Sequence, residues 1–147
     1  MGCLDGKWAV VLAKHFAKVH LTDLTDQLKG ILAEKMGKKM GQFHKTKGDE
    51  LCGFTNESID FIFSMDSLVR APKKSIFNYF LEFYRKLNKG GVIYIHLPVT
   101  EKHRCVAKEF TVLEVKEIEQ QLQTAGFLNI GFDLETLVHG TIVTAVK

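Results

Sequence analysis

Two glycines and an acidic residue near the amino terminus have a spacing typical of a nucleotide-cofactor site. Gly2 and Gly6 flank a short loop, and Asp23 follows Gly2 by about 20 residues. Glycine lets the backbone approach a ligand closely, and the free N–H groups at the start of a following helix favour an anionic group. A carboxylate that ends the next strand can accept hydrogen bonds from a ribose diol. The pattern is compatible with a site for a ribose-containing cofactor, whereas each residue taken alone is explained equally well by ordinary loop glycines and by Asp23 as the cap of the next helix.

Helical and extended segments alternate along the whole chain. Their arrangement determines where Gly2, Gly6 and Asp23 lie in space. Apolar residues recur at helical spacing in four segments and lie in short extended runs in six others. The predicted helices are 7–16, 25–40, 75–87 and 113–125, and the predicted strands are 17–23, 42–46, 59–64, 92–97, 128–134 and 141–146. Such alternation predicts an α/β fold, a mostly parallel sheet with helices on both faces. The last two strands are separated by only about six residues, so they should form an antiparallel hairpin.

Capping residues and glycines mark where these helices should begin and end. Thr25 or Asp26 can cap the second helix, and Gly41 should stop it. Ser75 can cap the third helix, which should end at the segment 88–91, Asn-Lys-Gly-Gly. Gly126 follows the last residue of the fourth helix.

The length of 147 residues predicts a single domain spanning residues 1–147. Hydrophobic residues make up 46% and charged residues 25% of the 147 positions, which excludes a disordered or fibrous chain. No apolar run approaches the roughly 20 residues of a membrane span, and the first residues do not resemble a signal peptide. The three cysteines are far apart, as expected for free thiols in the cytoplasm. The net charge of +3 is no strong signal for nucleic acid.

Taken in order, these segments resemble the class I S-adenosylmethionine-dependent methyltransferases, which have a Rossmann-like sheet. The closest likeness is to the type-11 methyltransferase domain. Residues 2–9, Gly-Cys-Leu-Asp-Gly-Lys-Trp-Ala, resemble the glycine loop of that family, and residues 57–66 resemble its fourth strand and the exit from it. Residues 87–91 resemble its L-x-P-G-G turn, and residues 124–127 its Ala-Gly-Phe helix end.

The resemblance implies S-adenosyl-L-methionine as cofactor and methyl transfer to an acceptor that the sequence does not identify, with a small molecule favoured. Asp23 would bind the ribose, Asp49 the adenine amino group, and Met65 would lie near the apolar face of the adenine ring. The implied cofactor-binding residues are Gly2, Cys3, Leu4, Gly6, Asp23, Leu24, Asp49, Glu50 and Met65. They follow the carboxyl ends of parallel strands, where such sheets bind ligands.

Methyl transfer from a sulfonium requires little from catalytic side chains, because the methyl group is already activated. Catalysis can depend mainly on positioning, and a general base helps with some acceptors. Asp66, after the fourth strand of the family, and His96, on its fifth, are the candidates nearest the expected acceptor. Each also has a structural explanation, since Asp66 can cap a turn and His96 can be a hydrogen-bonded strand histidine. The six histidines show no metal-binding spacing, so no metal is expected.

Two departures from the family pattern affect these expectations. Leu4 stands where the family has the middle glycine of its loop, and a leucine side chain there would crowd the methionine end of the cofactor or tilt away. Only Met1 precedes the loop, where the family has its central strand and an N-terminal cap. We therefore expect an amino-terminally shortened methyltransferase of reduced stability and weak cofactor binding, with self-association through the open gap in the sheet as a further expectation.

Two other classes remain open on the sequence alone. The first is a non-catalytic methyltransferase-like module that binds a partner protein, which Leu4 and the missing strand favour. The second is a nicotinamide-dinucleotide-binding Rossmann domain, against which Lys7 stands where the third glycine of G-x-G-x-x-G should be. A nucleic-acid methylase is disfavoured, because residues 64–67 are Ser-Met-Asp-Ser and not the acidic-proline-proline-aromatic signature.

Overall fold

The chain forms two compact units, Met1–Gly48 and Asp49–Lys147. The computed structural model describes residues 1–2, 6–105 and 107–147, including the side chains of all of these except residues 103–105. The single domain expected from the sequence stays a prediction. Among the helices of the described residues, none combines the length and the apolar character needed to cross a membrane.

The first unit contains two helices and a pair of parallel strands. Its elements are α1 (Lys7–Leu12), β1 (Val19–Asp23), α2 (Lys29–Met36), a 3-10 turn (Gly37–Lys39) and β2 (Met40–Lys45). β1 and β2 pair in parallel, with Leu21 opposite Phe43 and Asp23 opposite Lys45. Burial of Ala9, Leu21, Leu32 and Met36 joins both helices to β1 in one small core.

The ends of α2 differ from the prediction, and local hydrogen bonds explain one of the differences. Thr25 does not cap this helix, which begins only at Lys29. The Thr25 N–H donates instead to the Asp23 carboxylate at 3.3 Å, and the Thr25 hydroxyl accepts from the Gln27 N–H. Both groups of Thr25 therefore stabilise a turn before the helix. At the other end the helix stops at Gly37, whose φ is 54°, and Gly41 lies within β2.

The second unit contains a four-stranded mixed sheet. Its elements are β3 (Ile59–Ser64), α3 (Lys73–Lys86), β4 (Leu87–Leu97), α4 (Val115–Ala125), β5 (Leu128–Asp133) and β6 (Thr141–Val146), with 3-10 turns at Leu68–Arg70 and Thr100–Cys105. The strand order is β3-β4-β6-β5. β3 and β4 run parallel, and β6 runs antiparallel to both β4 and β5. The predicted α/β fold and its carboxyl-terminal antiparallel hairpin are confirmed, and β6 is inserted between β4 and β5, so this sheet has one parallel and two antiparallel pairings.

The apolar stripe of α3 and the alternation along β4 build the core of this unit. Ile76, Phe80 and Phe83 are fully buried, at the three- and four-residue intervals of one helix face. The helix begins at Lys73 after Pro72, and not at Ser75, and it ends at Lys86. Residues 88–91 are not a separate turn after the helix, because β4 already begins at Leu87 and its register with β3 shifts by three residues along this stretch.

Candidate functional site

The two loop glycines lie where a ligand-binding loop of the first unit is expected. The Gly2 N–H donates to the carbonyl of Thr22 at 2.8 Å, so the chain passes beside the end of β1 before it enters the loop. Gly2 has φ 65° and Gly6, which immediately precedes α1, has φ 79°, a left-handed conformation that glycine adopts without strain. Cys3 and Leu4, also predicted to bind the cofactor, lie outside the described residues.

Asp23 and Leu24 form the carboxyl end of β1 and the residue that follows it. The Asp23 carbonyl accepts the Thr46 N–H at 2.9 Å, which extends the parallel pairing by one bond and fixes the backbone at this point. The partly buried Asp23 carboxylate accepts the Thr25 N–H at 3.3 Å. Leu24 is an exposed apolar side chain (63%), and its Cδ2 lies near Gly48, which follows β2. A carboxylate beside an exposed apolar group can bind a diol and cover an aromatic ring.

The three remaining predicted cofactor residues belong to the second unit. Asp49 is exposed, and Glu50 and Met65 are half-buried. Met65 directly follows β3, and its carbonyl accepts the Ser67 hydroxyl at 3.2 Å. Their participation in the same site as Asp23 stays a prediction.

Asp66 and His96, the two candidates for acid–base chemistry, lie in contact, and a third side chain joins them. The Asp66 Oδ1 atom is 2.8 Å from His96 Nδ1 and 3.4 Å from Nε2 of His139. The two imidazole rings pack edge to face with centroids 4.9 Å apart. Asp66 is more than half exposed, whereas His96 is fully buried.

Burial determines the state of His96. It lowers the pKa of the imidazole below its ordinary value, an effect that the negative charge of Asp66 opposes and His139 reinforces. Neither ring nitrogen makes a hydrogen bond of good geometry with the described residues, although Nδ1 is close to the Asp66 carboxylate. The result is a buried imidazole of lowered pKa whose Nδ1 lies 2.8 Å from an exposed carboxylate.

Strand register brings the three residues together. Ser64 pairs with Ile95, so Asp66, two residues beyond the end of β3, lies near the end of β4. Leu97 pairs with Thr141, so the turn that precedes β6 lies just beyond the same end. In that turn Gly140 packs directly against His96, since a Cβ there would meet Nε2 and lie 2.5 Å from the Leu97 carbonyl oxygen. His139 escaped the sequence analysis because no local spacing links it to Asp66 or His96.

Comparison with known proteins gives the same fold. The crystal structure of an S-adenosylmethionine-dependent methyltransferase from Mesorhizobium loti superposes on this chain with a TM-score of 0.80. The two sequences are 14% identical, and the match covers 99% of this chain and 88% of that one. The S-adenosylmethionine-dependent methyltransferase SibL is 16% identical (TM-score 0.74), and the match spans 99% of this chain but only 48% of SibL. The [4+2]-cyclase SpnF is 15% identical (TM-score 0.75), with 99% of this chain and 73% of SpnF covered. No curated protein sequence matches significantly.

A sequence match identifies the family to which the chain belongs. Residues 1–95, more than half of the chain, match the family described as a methyltransferase domain. This match covers the glycine loop, both strands of the first unit and the parallel pair β3–β4 of the second. The chain therefore belongs to the methyltransferase domain family and has the class I methyltransferase fold.

Proposed function

We propose that this chain transfers a methyl group from S-adenosyl-L-methionine to a small-molecule acceptor. The observation that carries the proposal is the end of β1, where the Asp23 carboxylate and the exposed Leu24 stand beside the Gly2 backbone that is bonded to Thr22. The carboxylate can bind a ribose, and the exposed apolar side chain can cover an adenine ring. The glycine backbone can approach a methionine moiety closely. Membership of the methyltransferase domain family supports the same reaction.

The residues of the first unit have distinct roles in this proposal. Asp23 accepts hydrogen bonds from the ribose diol, and Leu24 covers one face of the adenine ring. Gly2 and Gly6 allow the backbone to approach the methionine portion without a side chain in the way. When bound, the cofactor supplies an electrophilic methyl group on a sulfonium. We assign Asp49, Glu50 and Met65 to the adenine end, as the family pattern implies.

The acceptor is proposed to contact Asp66, which the fully buried His96 positions from beneath. Both lie at the carboxyl ends of parallel strands, where sheets of this kind bind ligands. The exposed Asp66 carboxylate is available to a ligand, and the buried His96 ring holds its position between β4 and the turn at Gly140. Their role is to orient the acceptor for in-line attack, which accounts for most of the rate acceleration available to such a reaction.

Calorimetric titration of the purified chain with S-adenosylmethionine and S-adenosylhomocysteine tests the proposal, with NADH as the negative control. We expect both sulfur ligands to bind. Asp23→Asn removes the charge but keeps an oxygen for the Thr25 N–H, and we expect it to weaken binding by roughly 10- to 100-fold, because hydrogen bonds to charged groups contribute about 1.5–3 kcal/mol. Asp26→Asn is the matched control. Asp26 is an exposed neighbour paired with Lys45, and its substitution should change binding less than about twofold.

The opposite outcome has a clear meaning. A folded chain that binds neither ligand would favour a methyltransferase-like module that binds a partner protein. The fold alone does not decide between these functions, as the similarity to the cyclase SpnF illustrates.

A further inference from the structure

We propose that Asp66, His96 and His139 form a binding site for a divalent metal ion of the zinc type. One potential ligand atom from each residue lies within 4.8 Å of the others. The proposal depends only on the geometry of the second unit, and it stands whether or not the chain binds S-adenosylmethionine. It replaces the expectation from histidine spacing, which pointed to no metal.

Two of the three distances between these atoms match those between ligands of one ion, and the third is within 4.8 Å. Nitrogen and oxygen ligands about 2.1 Å from a metal lie about 3.0 Å apart at a right angle and about 3.4 Å apart at the tetrahedral angle. The carboxylate oxygen of Asp66 is 2.8 Å from His96 Nδ1 and 3.4 Å from His139 Nε2. Small side-chain rotations would therefore place all three atoms around one ion.

The buried imidazole gives an independent reason to expect a ligand. His96 is fully buried, and neither of its nitrogens has a well-formed hydrogen bond with the described residues. A buried polar group without a well-formed partner is destabilising, and a ligand that satisfies it removes that cost. A metal ion on Nδ1 would satisfy one nitrogen, whereas Nε2 lies against the backbone of Gly140, where an added Cβ would collide with it.

The nature and exposure of the ligands indicate which ion binds and how. Two imidazoles with one carboxylate suit Zn²⁺, Co²⁺ and Fe²⁺ better than Mg²⁺ or Ca²⁺, which prefer oxygen ligands. Asp66 and His139 are 58% and 37% exposed, so the ion would keep coordination positions open to solvent. Three protein ligands with an open position are typical of a site that binds a further small ligand. The ligand class that fits is a small molecule with an anionic oxygen or nitrogen.

Metal titration of the chain, first freed of metal by EDTA and dialysis, tests the site. We expect one equivalent of Zn²⁺ to bind by calorimetry, and one equivalent of Co²⁺ to give visible absorption bands characteristic of nitrogen and oxygen ligands. Asp66→Asn and His139→Gln should each weaken Zn²⁺ binding at least tenfold. Asparagine is well suited to the positive φ of 54° at residue 66, so the first variant preserves the backbone.

His44→Gln is the matched control, because His44 interacts with His20 in the first unit and offers an alternative surface position for the metal. It should leave both the stoichiometry and the affinity unchanged. Absence of saturable Zn²⁺ binding would overturn the proposal. So would binding that Asp66→Asn and His139→Gln leave unaffected, or binding that His44→Gln removes.

Discussion

Gly6 is a position of the glycine loop at which a side chain would not fit. Its φ is 79°, and a Cβ would collide with the Leu32 side chain in the core of the first unit. We expect Gly6→Ala to lower the free energy of unfolding by about 1–3 kcal/mol, because a left-handed backbone and an overpacked core are both costly. Urea denaturation followed by circular dichroism measures this loss.

Gly30 provides a control of opposite sign. It lies in α2, and an added Cβ would meet no atom of the described residues within 4 Å. Gly30→Ala should raise the free energy of unfolding by roughly 0.5–1 kcal/mol, since alanine is the better helix former. Equal effects of the two substitutions would contradict the packing of Gly6 against Leu32.

The two candidate sites differ in how well the sequence predicted which residues form them. Gly2 and Gly6 both precede α1, and Asp23 ends the strand that follows it, so their spacing along the chain already reflects their spatial relation. His139 lies far along the chain from His96, and only the pairing of β4 with β6 brings it near. Proximity that arises from strand register leaves no trace in local spacing, so the cluster of Asp66, His96 and His139 could not be predicted from the sequence.

At the scale of elements, the end of α3 is fixed by a buried lysine. The Lys86 ammonium donates to the Phe54 carbonyl at 2.6 Å and to the Asn56 side chain at 3.2 Å. The Lys86 carbonyl accepts the Ser58 N–H at 2.9 Å, so the helix end also holds the segment that leads into β3. We expect Lys86→Met to cost about 1–3 kcal/mol of unfolding free energy, because it removes both charge-assisted bonds. Urea denaturation measures the loss.

Lys89→Met is the control for this prediction. Lys89 is exposed and lies three residues further along the chain, so its substitution should change stability by less than about 0.5 kcal/mol. A similar loss in both variants would mean that overall charge, and not the contact with Phe54, is responsible.

Element types were easier to predict than element boundaries. The apolar stripe of α3 and the hydrophobic run of β4 identified both elements, because burial imposes their periodicity. Their junction was wrong, because Asn88–Gly91 was expected to form a turn and instead lies in the irregular first part of β4. Gly91 fits there, since a Cβ would lie only 3.2 Å from the Asp60 carbonyl oxygen on β3, a contact that depends on tertiary structure.

At the scale of the whole molecule, the two units differ in how well their sheets are supported. The first has two strands, whereas the second has four, with β4 and β6 in its interior. Two-stranded sheets are marginal by themselves, and interior strands open only with the cooperative unit that contains them. We expect the amides of Ile95 and Val143 to exchange at least tenfold more slowly than those of Leu21 and Phe43.

Hydrogen exchange followed by NMR measures these four amides in one experiment. Ile95 and Val143 are opposed residues of the antiparallel pair β4–β6, and Leu21 and Phe43 are opposed residues of the parallel pair β1–β2, so the comparison takes one residue from each strand of both pairs. Uniform protection in both pairs would show that the two units open together as one cooperative structure.

The position of β6 has a consequence for how the chain is made. Synthesis proceeds from the amino end, so β5 emerges from the ribosome before the strand that separates it from β4. During that interval β4 lacks its neighbour on one side and β5 has no neighbour within the four-stranded sheet. A nascent chain at this stage exposes two strand edges, which are templates for pairing with chaperones or with other chains on the same messenger RNA. The sheet of the second unit is therefore closed by its last-made strand.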